Sequence, residues 1–286
     1  MTTLQLDHDL VRQLTVAGIA DPEVEATLLI RHYLQCRRSD IFLEGARLVT
    51  DFTLVSVKQA LLSRLARQPL AYILGEQEFY GQAFSVSPDV LIPRSETELL
   101  VDKAVLTLQE RADKRPPYIL DLGTGSGIIA ISLAMALPLA TVIGLDLSCP
   151  AWLVARANAS RHGVSCRVHW LNSDWGGALR DEIDFDLVIA NPPYVTQKIQ
   201  ASLQPELAAE PALALYGGDD GREAIDRVMD GAARLVCPGG TFLMEIGFDQ
   251  GNYVMTKMNA LGHFNKVLIH HDYADLPRIL QACRLP

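Results

Sequence analysis

Tyr118-Ile119-Leu120-Asp121-Leu122-Gly123-Thr124-Gly125-Ser126-Gly127 is the stretch from which the fold can be read. The apolar run 118–122 has the length of a strand buried on both faces, and the spaced glycines let the backbone turn sharply and approach a ligand closely. Residues 128–137 then have helical composition, so the segment reads strand, Gly-rich turn, helix. Asp146 ends the next strand, 141–145, about 20 residues on, where a carboxylate can accept hydrogen bonds from ribose hydroxyls. The glycine spacing alone leaves two registers open. A G-x-G-x-x-G dinucleotide fingerprint counted from Gly123 puts Ile128 where the third glycine belongs; counted from Gly125 it puts Ala130 there, which the fingerprint allows.

Downstream, the same alternation continues. A helix is expected over 151–159, strands over 167–171 and 185–190, and further strands over 241–246, after the Pro238-Gly239-Gly240 turn, and over 266–270. Strands alternating with helices imply a mostly parallel sheet covered on both faces, with ligands bound beyond the carboxyl ends of the strands where the strand order switches. Upstream, the pattern is helical. Val11, Leu14, Ala17 and Gly18 follow helical spacing, Asp21-Pro22-Glu23 starts a second helix running to about Cys36, and a third starts near Asp51 and stops before Pro69. Residues 1–75 are therefore read as a small helical domain. Tyr80-Gly81-Gln82 is a turn between short β-rich runs, so a β-hairpin linker is placed over 76–92, leaving 93–286 for the α/β domain.

The 286 residues are 49% hydrophobic and 21% charged, enough apolar content for a packed core. The opening MTTLQLDHDL lacks a basic segment followed by an apolar run, and no apolar stretch approaches the roughly 20 residues that span a bilayer. The five cysteines are scattered and never in a C-x-x-C pair, which argues against a zinc site or a disulfide framework and fits a reducing cytoplasm. A formal net charge of −9 gives no bulk attraction to a phosphate backbone, so direct binding of nucleic acid is not expected.

Two more strand ends carry chemistry. Asp174-Trp175 follows the third strand, where an adenine would lie: Asp174 can accept from an exocyclic amine and Trp175 offers a stacking face. Asn191-Pro192-Pro193-Tyr194 follows the fourth. Consecutive prolines fix an extended turn and remove two backbone donors, leaving carbonyl oxygens free to accept. The Asn191 side-chain oxygen and the Pro192 backbone oxygen can take the two hydrogens of a planar NH2 group, with Pro193 and Tyr194 walling the site. An amide or aromatic amine nitrogen is a poor nucleophile, so it needs this positioning.

The Gly123, Gly125, Gly127 spacing resembles the first motif of class I S-adenosylmethionine-dependent methyltransferases, and N-P-P-Y after the fourth strand resembles those acting on planar NH2 nitrogens. Nearly the whole chain resembles the glutamine methyltransferases of peptide chain release factors. Further matches are Ile92-Pro93-Arg94-Ser95-Glu96-Thr97-Glu98, Ser173-Asp174-Trp175, Glu210-Pro211-Ala212-Leu213, Gly217-Gly218-Asp219-Asp220-Gly221 and Glu245-Ile246-Gly247. The resemblance implies a Rossmann-like domain with a seven-stranded sheet and S-adenosylmethionine as cofactor. It implies methyl transfer to the glutamine N5 of a Gly-Gly-Gln motif in a release factor, with the helical domain docking that partner, in a cytoplasmic enzyme expected to be a monomer. It further implies cofactor contacts from Gly123, Thr124, Gly125, Ser126, Gly127, Asp146, Asp174, Trp175, Asn191, Arg94, Thr97 and Glu98, and acceptor contacts from Asn191, Pro192, Pro193 and Tyr194. Glu96 stands where the family usually has Asp, and Ser148-Cys149-Pro150-Ala151 replaces a more usual acidic sequence.

The rival readings are an adenine or guanine amino methyltransferase of nucleic acid, which would share these residues, and a non-catalytic S-adenosylmethionine-binding scaffold. A nicotinamide oxidoreductase gives no reason for Asn-Pro-Pro-Tyr. No metal is expected at His270-His271-Asp272, because neighbours in an extended segment point to opposite faces. Arg37-Arg38, Arg64 and Arg67 are read as solvated helix faces, with the docking of an acidic partner surface as the alternative.

Overall fold

The computed structural model describes residues 1–111, 115–180, 184–196 and 204–286. The chain forms two compact units, Met1–Gly75 with Gln204–Ala209, and Glu76–Leu203 with Glu210–Pro286.

The first unit holds α1 (Thr3–Val16), α2 (Pro22–Leu34), α3 (Arg38–Leu43), α4 (Asp51–Leu65) and α5 (Leu70–Leu74). A capping box starts α1: the Thr2 hydroxyl accepts from Gln5 N at 3.3 Å, and the Gln5 side chain accepts from Thr2 N at 2.9 Å. Leu6, Leu10 and Leu14, four apart, line the buried face of α1 and meet Leu29, Ile30, Ile41, Val57 and Leu61 from the other helices. Pro22 opens α2 after Asp21, whose side chain makes no capping bond. Arg64 of α4 and Arg67 just beyond it correct the sequence reading. Arg64 is only 5% exposed: its Nε and Nη2 hold Glu25 at 2.7 and 3.2 Å, and its Nη1 holds Glu206 at 2.9 Å. Arg67 also reaches Glu206, at 3.3 Å, and donates to Ala17 O at 2.6 Å. A guanidinium can be buried when its donors are spread over carboxylates and carbonyls in this way. These contacts hold Gln204–Ala209 with the helices, although that segment lies far along the chain.

The second unit opens with the hairpin β1 (Glu76–Phe79) and β2 (Gln82–Ser85), turning at Tyr80 and Gly81, both with positive φ. Phe79 and Phe84 are buried in the core of this unit. There follow α6 (Glu96–Gln109), β3 (Tyr118–Leu122), α7 (Ile128–Ala136), β4 (Thr141–Asp146), α8 (Cys149–Arg161), β5 (Val168–Asn172), β6 (Phe185–Ala190), α9 (Ala212–Leu215), α10 (Glu223–Leu235), β7 (Val236–Glu245), α11 (Gly251–Ala260), β8 (Phe264–His271) and β9 (Pro277–Arg284). The seven-stranded sheet has the order β5-β4-β3-β6-β7-β9-β8. β3 to β7 run parallel, and β9 is antiparallel to both β7 and β8.

Side chains alternate across the sheet. Ile119, Leu187, Ile189 and Leu243 face one layer, with Leu100, Ile129 and Leu133 of α6 and α7. Leu120, Val188, Phe242 and Met244 face the other, with Ile225, Met229, Val254 and Met258 of α10 and α11. β7 begins earlier than the sequence suggests. Val236 already pairs with Phe185, and an irregularity in the register accommodates the Pro238-Gly239-Gly240 stretch before regular pairing resumes at Thr241.

The chain leaves β3 for β4 and β5 on one side, then returns to place β6 on the other side of β3. Leu122 of β3 pairs with Leu145 of β4 and Ala190 of β6, so Gly123, Asp146 and Asn191 emerge together at this switch point. Among the described residues no helix is long and apolar enough to cross a membrane.

Candidate active site

The Gly-rich turn is pinned by hydrogen bonds from both sides. Gly123 N and Thr124 N donate to Leu145 O at 2.8 Å each, and the Thr124 hydroxyl donates to Asp121 at 2.6 Å. Asn158, buried on α8, donates to Ser126 O at 2.9 Å and also exchanges hydrogen bonds with the Ser85 backbone, tying the turn to the hairpin. Asp146 closes the turn: Oδ2 accepts from Gly125 N and Oδ1 from Ser148 N, each at 2.8 Å. The carboxylate keeps acceptor capacity beyond these backbone donors for a ligand hydroxyl. Burial raises the Asp146 carboxyl above its usual range, against these backbone donors.

Beside the turn lies a cavity of ≈ 320 Å³ within the second unit. Gly123, Thr124, Gly125, Ser126, Asp146, Asp174, Trp175, Asn191, Pro193, Arg94 and Thr97 all line it. Gly127, the N-cap of α7, does not, and neither do Pro192, which is buried, and Tyr194. Glu98 is placed elsewhere by its position one residue past Thr97 on α6: its carboxylate accepts from Tyr80 N at 2.7 Å. Arg94 is held by Glu210, Nη2 to Oε1 at 2.5 Å, while Glu210 Oε2 accepts from Ile92 N at 3.0 Å. Asp174 is ion-paired with Arg227. Trp175 adopts a positive φ of 45°, uncommon for a bulky residue and the kind of backbone outlier that points to a site.

The cavity fits S-adenosylmethionine on its own chemistry. A Cβ on Gly125 would meet no protein atom within 4 Å, so ligand space there abuts bare backbone. Asp146 offers a carboxylate, a group to which ribose hydroxyls can donate, Trp175 a flat aromatic face, and Ile128, Ile129 and Leu147 apolar wall.

At the end of β6 the acceptor motif is held from beneath. Asn191 Nδ2 donates to Thr97 Oγ1 at 3.1 Å, and the Thr97 hydroxyl donates to Glu245 Oε2 at 2.7 Å. Tyr194 OH donates to the other Glu245 oxygen at 3.2 Å. Thr97 and Glu245 are 0% and 1% exposed. Burial pushes the Glu245 carboxyl up, while the Thr97 hydroxyl, the Arg278 charge and the Tyr194 hydroxyl pull it back. Burial and the Glu245 charge also raise the Tyr194 phenol. Among the described residues, no backbone donor is bonded to Pro192 O. The Gly217–Gly221 loop packs onto this motif. A Cβ at Gly217 would come within 2.5 Å of Pro193 O, and one at Gly221 within 2.4 Å of Tyr194 O, so only glycine allows the approach.

Sequence reasoning gave no role to Glu245, Glu210 or Asn158. Glu245 and Glu210 stood in quoted motifs, and a carboxylate ending the apolar strand Thr241–Met244 was a usable signal. His270 and His271 have separate partners, Gln281 Oε1 at 2.6 Å and Asp275 Oδ1 at 2.8 Å.

Residues 5–75 match the PrmC N-terminal domain family, and residues 97–219 match the methyltransferase small domain family. The release factor glutamine methyltransferase of Bordetella pertussis is 40% identical over 258 residues, covering 90% of this chain and 93% of that one. That of Moorella thermoacetica is 39% identical over 288 residues, covering 99% of each. Among solved structures, the catalytic domain of hMettl16 in complex with an RNA hairpin superposes with a TM-score of 0.55 at 15% identity, covering 83% of this chain and 85% of that one. The T. thermophilus 16S rRNA N2 G1207 methyltransferase, solved with AdoMet and guanosine, superposes with a TM-score of 0.51 at 20% identity, covering 73% and 49%. At those identities the structural likeness speaks to the fold alone. The full-length likeness to the curated relatives goes further: this chain belongs to the release factor glutamine methyltransferase family.

Proposed function

We propose that this protein transfers a methyl group from S-adenosylmethionine to the side-chain amide nitrogen, N5, of the glutamine in the Gly-Gly-Gln motif of peptide chain release factors, in support of translation termination. The observation that carries the reading is the orientation of Asn191. Its amide NH2 is committed to Thr97, so its carbonyl oxygen is the end left for the cavity it lines.

When bound, the cofactor would supply a methyl group on a sulfonium: the C–S bond breaks as the N–C bond forms, a neutral thioether leaves, the nitrogen gives up one of its two protons to solvent, and no strong base is needed before attack. The chain supplies position. The lone pair of a glutamine amide is delocalised, and its nitrogen attacks only when its face is held toward the methyl carbon. Asn191 Oδ1 and Pro192 O accept its two hydrogens and fix that face, and Pro193 and Tyr194 wall the side chain in. These acceptors are preorganised, so they favour the developing charge on the nitrogen without rearranging. Asp146 and the 123–127 turn hold the ribose and amino-acid parts of the cofactor, with Asp174 and Trp175 at its adenine and Arg94 and Thr97 along its remaining wall.

One glutamine offers little contact area, whereas a specific protein complex buries at least about 1,200 Å² in total. The helical unit supplies exposed apolar surface for docking the release factor: Phe42 is 61% and Phe52 84% exposed, with Leu43 and Leu48 also open to solvent. We place the enzyme in the cytoplasm, where termination occurs, acting as a monomer. Incubation with methyl-labelled S-adenosylmethionine and either release factor or nucleic acid tests the assignment. Label on the release factor supports it; label on nucleic acid alone overturns it in favour of a base amino methyltransferase, and label on neither in favour of a binding scaffold.

A further inference from the structure

Resting on the methyl-transfer reading above, we propose that Glu245 is a positioning residue for the reaction: acting through the Thr97 hydroxyl, it decides which end of the Asn191 amide faces the acceptor.

Both hydrogen bonds at the Glu245 carboxyl are donated to it, so it serves its neighbours as an acceptor. Both Glu245 oxygens are taken, Oε2 by Thr97 at 2.7 Å and Oε1 by Tyr194 at 3.2 Å. A threonine hydroxyl has one proton, and here it is spent on Glu245. Thr97 Oγ1 therefore turns only lone pairs toward Asn191, and the group 3.1 Å away must be a donor. Of the two ends of the Asn191 amide, only the NH2 donates. The carbonyl oxygen is thus directed away from Thr97, toward the acceptor. The reversed amide would set two acceptors against each other at Thr97 and present N–H groups to a substrate that itself carries NH2.

Position and burial support this role. Glu245 ends β7, Asn191 follows β6, and the two strands pair in parallel, with Ala190 beside Met244. A carboxylate that is 1% exposed is costly to bury, and a glutamine of the same shape would fill the space without that cost. What glutamine cannot do is accept at both ends. Its carboxamide has one acceptor and one donor end, so it can serve Thr97 or Tyr194 as the carboxylate does, but not both. Glu245 touches no reacting atom; it works by ordering the residues that do.

The test combines kinetics with a direct view of the amide. Thr97→Val keeps the side-chain shape and removes only the hydroxyl, Thr97→Ser keeps the hydroxyl, and Glu245→Gln keeps shape and packing. With saturating cofactor and release factor, Thr97→Val and Glu245→Gln are expected to lower kcat by roughly 10- to 100-fold, with thermal midpoints and KM for the release factor little changed. Thr97→Ser should restore most of what Thr97→Val loses. Independently of turnover, the Asn191 side-chain ¹⁵N amide signals should show slowed hydrogen exchange in the wild type and lose that protection in Thr97→Val. If Glu245→Gln fails to fold, Glu245→Asp takes its place, since it keeps the carboxylate but withdraws it from Thr97 by one methylene, and the same loss of kcat is expected. The proposal is overturned if the folded variants turn over within about 3-fold of wild type, or if Asn191 amide protection survives Thr97→Val. Absence of release-factor methylation by the wild type would instead reject the methyl-transfer reading, and the exchange measurement would still judge the Asn191 orientation.

Discussion

Replacing Asp146 by alanine removes both oxygens of the carboxylate that ends β4. In the protein these oxygens hold Gly125 N and Ser148 N at 2.8 Å, and the carboxylate keeps acceptor capacity for a ribose hydroxyl. The direct loss is a hydrogen bond to a charged group, about 1.5–3 kcal/mol, or roughly 10- to 150-fold in the Kd for S-adenosylmethionine. The two freed N–H groups belong to residues lining the cavity, where water can reach them, so their release adds at most about 1 kcal/mol each. Asparagine is no conservative substitute here. Its NH2 end would have to face either Gly125 N–H or Ser148 N–H, donor against donor, so Asp146→Asn is expected to weaken binding by the same order as alanine. Calorimetric titration with the cofactor gives the Kd, and a thermal melt checks that the fold persists. A folded Asp146→Ala variant binding within about 3-fold of wild type would refute the assignment of Asp146 to the cofactor site.

At Asn191, alanine removes the acceptor and lets the target amide rotate, and kcat should fall by roughly 10²-fold or more. Asn191→Asp brings a carboxylate toward the sulfonium and should tighten cofactor binding while still slowing turnover, since stabilising the cationic ground state does not help the reaction; near-wild-type turnover in Asn191→Ala would show that something else orients the amide. Asp121, fully buried with its carboxyl pushed up to about 7, should make the fold pH-dependent. The folded state keeps its proton after the unfolded chain has lost it, so this group removes stability as pH rises from about 4 to about 7, by at most about 4 kcal/mol. Asp121→Asn should therefore gain more thermal stability at pH 8 than at pH 5, and equal gains would contradict the argument. On the helical unit, Phe42→Ser with Phe52→Ser should raise KM for intact release factor and leave the cofactor Kd unchanged; an unaltered KM would remove this face from the docking surface.

Much of the catalytic unit was legible because strands of five or six apolar residues separated by Gly-rich or acidic turns leave few alternatives. β6, Phe185–Ala190, lies where the sequence reading placed it. β9 was not legible. It pairs antiparallel between β7 and β8, and its buried Ile279, Leu280 and Ala282 make too short a pattern to mark a strand against Pro277, Arg278 and Arg284. The short helices α3 and α5 escaped for the same reason, having little more than one turn each. Arg64 was misread because its charge was weighed above its spacing. It follows Val57 and Leu61 at helical intervals, on the buried face, and two glutamates, one of them from Gln204–Ala209, make that burial tolerable. The strand-end motifs could be found from spacing, but the group beneath Asn191 could not. Thr97 is 94 residues from Asn191 and 148 from Glu245, and only the packing of α6 against the paired strands β6 and β7 brings them together.

The central claim, methylation of one glutamine nitrogen in a release factor, is tested most directly by mass spectrometry of a release factor co-expressed with this protein. Fragmentation should place one added methyl on the glutamine of Gly-Gly-Gln, and co-expression with Asn191→Ala should leave most of that glutamine unmodified. An unmodified glutamine with the active protein present, or a methyl on a different residue, would contradict the account.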